Sequence, residues 1–187
     1  MEREIVLVSG APGSGKSTLA KGLAESLHAN LIGKDFIKET LWDLFDPPAG
    51  DLAWSKRLGA AAMEVMWTLA AQSHRVVLEA NFRPHSDYEK TKLRGLSANL
   101  IEVCCVPSRS RPRALRAASG ERRAASGERR AAKSTHHPAH VTPTLDPSFL
   151  AEFDQPIGLG PVVRVDTTLP IDIETLTQQV SVFLSPG

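Results

Sequence analysis

One stretch near the start of the chain has the residue types and spacing for phosphate chemistry. Gly10-Ala11-Pro12-Gly13-Ser14-Gly15-Lys16-Ser17 fits G-x-x-x-x-G-K-[ST], with Thr18 next. The glycines let successive backbone N–H groups turn inward and cradle phosphate oxygens. Lys16 is long enough to reach the outer phosphates, and the Ser17 hydroxyl suits a magnesium ion. A helix that starts here would present its positive end to the same anion. Residues Gly10 to Thr18 are therefore the expected nucleotide-binding segment, and a purine triphosphate with Mg²⁺ is the expected pair of ligands.

Further chemistry-bearing residues follow at the ends of apolar runs. Asp35 follows the short run Leu31-Ile32, and Lys38 lies one helical turn on. Asp35 could orient a substrate hydroxyl or cap the following helix; Lys38 could hold a substrate anion or lie solvated on a helix. Glu79 closes Val76-Val77-Leu78, where a carboxylate can hold a metal through water or bind substrate. Arg83 follows within reach, a candidate for an anionic substrate. Cys104 and Cys105 are the only cysteines and adjoin each other in an apolar run, which suggests neither a disulfide framework nor a metal site.

The elements that must position these groups read as an alternation. Ile5-Val6-Leu7-Val8 is a buried strand, and Leu19, Leu23 and Leu27 mark one face of a helix from Ser17 to about Ala29. Leu31-Ile32 leads to a second strand ending at Lys34-Asp35. A helix over 36–45 stops at Asp46-Pro47-Pro48-Ala49-Gly50. From Asp51 to Ser73, Trp54, Leu58, Ala61, Val65 and Leu69 form an apolar stripe that Met63, Met66 and Trp67 widen. Strands at 76–78, 100–106 and 162–165 follow, with a helix over 85–96 and a last one through Leu184 that Asp172 can cap. Strands separated by crossover helices predict an α/β sandwich with a parallel sheet.

With 187 residues the chain suits one domain, and its 42% hydrophobic and 23% charged residues exclude wholesale disorder. Apolar runs are too short for a membrane span, and the start has no signal-peptide pattern, so a cytoplasmic protein is expected. The net charge of +1 hides a division. Residues 107–140 hold nine Lys/Arg against two Asp/Glu, a net of +7, and the rest is −6. Inside that segment RAASGER occurs twice in tandem, at 116–122 and 123–129. It reads as a local duplication, because a coiled coil needs apolar positions sustained over more heptads. The segment has no aromatic residue, so it lacks the stacking platform of single-strand nucleic-acid binders. His136-His137-Pro138-Ala139-His140 reads as a turn rather than a metal site, since neither cysteine nor carboxylate lies close by in sequence.

The phosphate loop, the Lys34-Asp35 strand end and the basic segment after the fourth strand together resemble small P-loop kinases. The likeness is to AAA-type ATP-binding proteins that are polynucleotide-kinase-like, chloramphenicol-phosphotransferase-like or zeta-toxin-like. It implies a three-layer sandwich with a five-stranded parallel sheet in order 2-3-1-4-5 and a lid insert at 107–140. It also implies transfer of the ATP γ-phosphoryl group to a hydroxyl. By resemblance Asp35 serves the acceptor hydroxyl, Arg113 and Arg116 of the lid neutralise developing charge, and the loop at Thr167-Thr168 flanks the adenine. Lys38 stands where such enzymes tend to have arginine, which weakens the case for a phosphate-bearing acceptor. A small-molecule kinase is the leading expectation. A polynucleotide or nucleoside 5′-hydroxyl kinase is the alternative within the enzyme class. A nucleotide-dependent nucleic-acid-binding or regulatory protein is the alternative outside it.

Overall fold

A computed structural model describes residues 3–106, 137–140, 152, 153 and 155–184. In chain order the elements are β1 (Arg3–Gly10), α1 (Lys16–Ser26), β2 (Asn30–Gly33), α2 (Lys34–Phe45), α3 (Leu52–Gln72), β3 (Arg75–Glu79), α4 (Asp87–Gly95), β4 (Ala98–Cys105), β5 (Val162–Val165) and α5 (Ile173–Leu184). The five strands form one parallel sheet in the order β2-β3-β1-β4-β5. That is the predicted topology, with the phosphate loop leaving the central strand.

Alternation along β1 builds the layers. Val6 and Val8 point to one face, where Leu19 and Leu23 of α1 and Leu176 and Val180 of α5 cover them. Ile5 and Leu7 point to the other, against Met66, Trp67 and Ala70 of α3 and Leu93 of α4. A parallel strand covered on both sides must be apolar throughout, and Ile5 to Val8 are all at most 1% exposed. Cys104 and Cys105 alternate in the same way, are buried and form no disulfide. Burial pushes the Cys105 thiol up to about 12, which removes it as a nucleophile.

Two expectations need correction. The second strand stops at Gly33, so Lys34 and Asp35 belong to the first turn of α2. Asp35 is not the cap, since Gly33 occupies the cap position and no side chain caps the helix. A carboxylate in the first turn is nonetheless favoured by the helix dipole. The buried face of α3 is also rotated from the predicted stripe. Ser55, Leu58, Ala62, Met66 and Ala70 are buried, whereas Val65 and Leu69 are 38% and 43% exposed. Both stripes have helical spacing, and only packing against the sheet and α2 chooses between them.

Helix ends follow their sequence signals. Asp51 accepts from the backbone N–H groups of Ala53 and Trp54 at the start of α3. Asp172 accepts from the Thr175 N–H and hydroxyl at the start of α5, as expected of that cap. No described helix is long and apolar enough to cross a membrane.

Candidate phosphoryl-transfer site

β1 delivers the chain to the centre of the sheet's C-terminal edge, and the turn that follows depends on glycine. Gly10 has φ 146°, and a Cβ there would fall 2.8 Å from the Cys105 carbonyl oxygen and 2.9 Å from the Cys105 Cβ. Any side chain would push β1 and β4 apart. Gly15 has φ 82°, which lets the loop enter α1 at Lys16. Between them the Ser14 N–H donates to the Ala11 carbonyl at 3.1 Å, closing the turn. The Ser14 hydroxyl is buried with no partner among the described residues. Buried polar groups are normally paired, so a hydroxyl held open inside a phosphate loop is suited to an incoming anion.

Three predicted residues meet at this loop. Lys16 Nζ lies 3.6 Å from Glu79 Oε1, and both side chains are buried. The Ser17 hydroxyl donates to the same carboxylate oxygen at 3.3 Å. β3 brings Glu79 here because Val8 and Glu79 are register partners in neighbouring strands. Burial raises the Glu79 carboxyl above the ordinary glutamate range, and Lys16 offsets part of that rise. Ser17 and Glu79 present two hard oxygens side by side. They fit a magnesium ion, which takes one or two protein oxygens and completes its shell with water and phosphate.

Asp35 stands across from this cluster at the start of α2. Its carboxylate pairs with Lys34 Nζ at 3.2 Å. Burial pushes its carboxyl up, but the positive charges of Lys34, His140 and Lys16 together outweigh burial and hold it below the ordinary aspartate value. Asp35 is thus an ionised carboxylate within the field of the phosphate-loop lysine. Glu79 in turn feels the Asp35 charge, which places both carboxylates in one electrostatic site.

Other predicted residues fall as follows. Lys38 is not solvated: it is 7% exposed, and its Nζ donates to the Ser55 hydroxyl at 2.8 Å in the α2–α3 seam. Burial lowers its ammonium to about 8. The Arg83 side chain is exposed, and its backbone N–H donates to the buried Glu89 carboxylate at 2.7 Å. The Thr167 Cβ comes within 3.7 Å of where a Gly15 Cβ would stand, so the loop after β5 does flank the phosphate loop. The Thr168 hydroxyl and N–H both donate to Asp166 Oδ1. Of the expected lid at 107–140 only 137–140 is described, and Arg113 and Arg116 lie outside the described residues.

Three features were missed in the sequence. Glu102 is fully buried in β4 and accepts from the Ser9 hydroxyl at 2.6 Å and from the backbone N–H groups of Ile157 and Gly158 at 3.1 and 3.2 Å. The signal was one charge inside an otherwise apolar strand. Ser55 lies on the buried face of α3 and donates to the Ala139 carbonyl at 2.7 Å, while accepting from Lys38. The third miss corrects the reading of the histidine stretch. Carboxylates distant in sequence are near in space: His137 bonds Asp43 at 3.0 Å and His140 bonds Glu39 at 2.8 Å. A turn is nonetheless what forms, closed by the His140 N–H on the His137 carbonyl. Among the described residues no group of three or more His, Cys, Asp or Glu is arranged to hold a metal.

The comparisons agree with the fold. A family model described as an AAA domain matches residues 5–140. A Chloroflexus aurantiacus protein provisionally described as a kinase is 28% identical, with a TM-score of 0.81 over 99% of this chain and 100% of its own. The adenosine-phosphosulfate (APS) kinase of Mycobacterium tuberculosis, solved with AMPPNP and APS, is 19% identical with a TM-score of 0.58 over 98% of both chains. A gluconokinase of Sinorhizobium meliloti is 18% identical, with a TM-score of 0.50 over 97% of this chain and 91% of its own. No curated protein matches. A phosphate loop leaving the central strand of a 2-3-1-4-5 sheet, and a family match over most of the chain, make this protein a member of the AAA-domain family among the small P-loop kinases.

Proposed function

We propose that the protein is an ATP-dependent kinase that moves the γ-phosphoryl group to a hydroxyl of a small molecule. The observation that carries this reading is the placement of Asp35. Its carboxylate sits on a different element from the phosphate loop, yet within the field of Lys16 and Glu79. Phosphoryl transfer asks a protein mainly to position groups and balance charge. An ionised carboxylate facing the loop can accept the hydrogen bond of an acceptor hydroxyl and aim its oxygen at the phosphorus.

In this reading the loop from Gly10 to Thr18 cradles the triphosphate, and Lys16 leaves Glu79 to meet the outer phosphates. Ser17 and Glu79 would hold magnesium, which neutralises phosphate charge when bound. Thr167 borders the nucleotide, Arg83 borders the acceptor side, and Lys38 fixes α2 from beneath. Arg113 and Arg116 would supply further positive charge. The gluconokinase and APS kinase neighbours act on hydroxyl-bearing small molecules, which fits this acceptor class.

The test is a screen of γ-labelled ATP against sugars, nucleosides, antibiotics and 5′-hydroxyl oligonucleotides. Label moving to one small-molecule class, and lost by about 100-fold or more in Asp35→Asn with ATP binding retained, is the expected result. Transfer by Asp35→Asn at the wild-type rate would refute the role of Asp35. Label on oligonucleotides alone would move the acceptor to nucleic acid.

A further inference from the structure

α2 carries three carboxylates at successive turns, Asp35, Glu39 and Asp43. Spacing of four residues stacks them on one face, where like charges repel. Two of the three are engaged by the turn 137–140. His140 Nε2 lies 2.8 Å from Glu39 Oε1, and His137 Nε2 lies 3.0 Å from Asp43 Oδ1. His137 Nδ1 accepts from the Ala139 N–H at 3.2 Å, so in the neutral ring the proton is on Nε2 and is donated to Asp43.

The turn is seated, not merely adjacent. Ala139 is fully buried in a cluster with Trp42 of α2 and Leu58 of α3. Its carbonyl accepts from the Ser55 hydroxyl, which accepts from Lys38. One turn of chain therefore contacts α2 through two histidines and α3 through one carbonyl, about a hundred residues away in sequence.

We propose that the turn 137–140 is a positioning device for the acceptor carboxylate: by engaging Glu39 and Asp43 it fixes the rotation of α2 and leaves Asp35 turned to the phosphate loop. His140 is the positioning residue nearest Asp35. This rests on the reading of Asp35 given above. The charged groups that act on or feel Asp35 are Lys34 and Lys38 on its own helix, Lys16 at the start of α1, Glu79 from β3 and His140 from the turn, with Glu39 beside Lys38 and His140. Of these, His140 alone comes from the turn.

The experiment needs no acceptor. The Asp35 side-chain carboxyl is followed by ¹³C NMR against pH in the full chain labelled at aspartate, with Asp35→Asn to assign the signal. His140→Gln keeps a hydrogen-bonding side chain but removes the charge. The Asp35 midpoint should rise by about half a pH unit, the size of a weak charge–charge contact. His137→Gln, which acts two turns further along α2, should move it less. Amide exchange along α2 should quicken in both variants. His140→Asn gives the same comparison if the glutamine variant folds poorly. An Asp35 midpoint unmoved in His140→Gln or His140→Asn overturns the proposal. That holds even if α2 exchanges faster, because the turn would then be only structural. The Asp35→Asn transfer assay tests the role of Asp35 separately, so either idea can fail alone.

Discussion

Lys16 illustrates how one residue is held ready. Its ammonium rests against Glu79 with both side chains buried, so it is paired before any nucleotide arrives. Removing one partner of a buried pair leaves an uncompensated charge. Lys16→Ala should therefore lose ATP affinity by about 100-fold or more and also lower the melting temperature, read by nucleotide titration and thermal unfolding. Gly10 is constrained by space. Gly10→Ala should cost about 2 kcal/mol or more and weaken ATP binding, because the new Cβ collides with β4. Normal stability in that variant would show that the strands can spread. These residues were legible in the sequence, since the phosphate motif is local and its glycines and lysine carry their own reasons. Glu102 was not. Its three partners lie on β1 and at 157–158, and nothing local to β4 names them.

The seam between α2 and α3 shows what elements add. Ser55 is the hinge of a buried chain from Lys38 to the Ala139 carbonyl. Ser55→Ala leaves the carbonyl and one lysine N–H without partners, at about 1–3 kcal/mol each. A drop in melting temperature of about 5–10 °C is expected for a chain of this size. Lys38 gives the seam a pH dependence. Its folded value near 8 lies below the unfolded 10.5, so between those values the unfolded chain binds more protons. Wild-type stability should thus rise from pH 8 to pH 10.5 relative to Lys38→Met. Parallel curves for the two proteins would show that Lys38 titrates normally in the fold. Helical periodicity marked α3 correctly as an element and Leu58, Met66 and Trp67 as buried, but not the rest of its buried side. Val65 and Leu69 fit the predicted stripe as well as Ala62 and Met66 fit the observed one, and the neighbouring layer decided between them.

Across the whole molecule, the described core is built by the sheet and the helices on its two faces, with a small third cluster at the α2–α3 seam where Ala139 is seated. The tandem heptads at 116–122 and 123–129 lie outside the described residues. Deleting 123–129 should leave the melting temperature within about 2 °C, because each doubling of a loop's length costs only about 0.6 kcal/mol. A larger loss would mean that the repeat packs on the core.

The sequence by itself determined what depends on neighbours along the chain: the phosphate loop, the strand–helix alternation, the cap at Asp172, and the division of charge. Each is set by backbone freedom, periodicity or short-range hydrogen bonding. Only the tertiary structure decided which distant groups share a site. It set Glu79 against Lys16 through strand register, moved Asp35 from a strand end into the first turn of α2, and turned Lys38 inward. It also brought His137 and His140 onto carboxylates 94 and 101 residues away. Those meetings follow from crossover connections and from which helix face the layers bury, and neither is written in the spacing of any one segment.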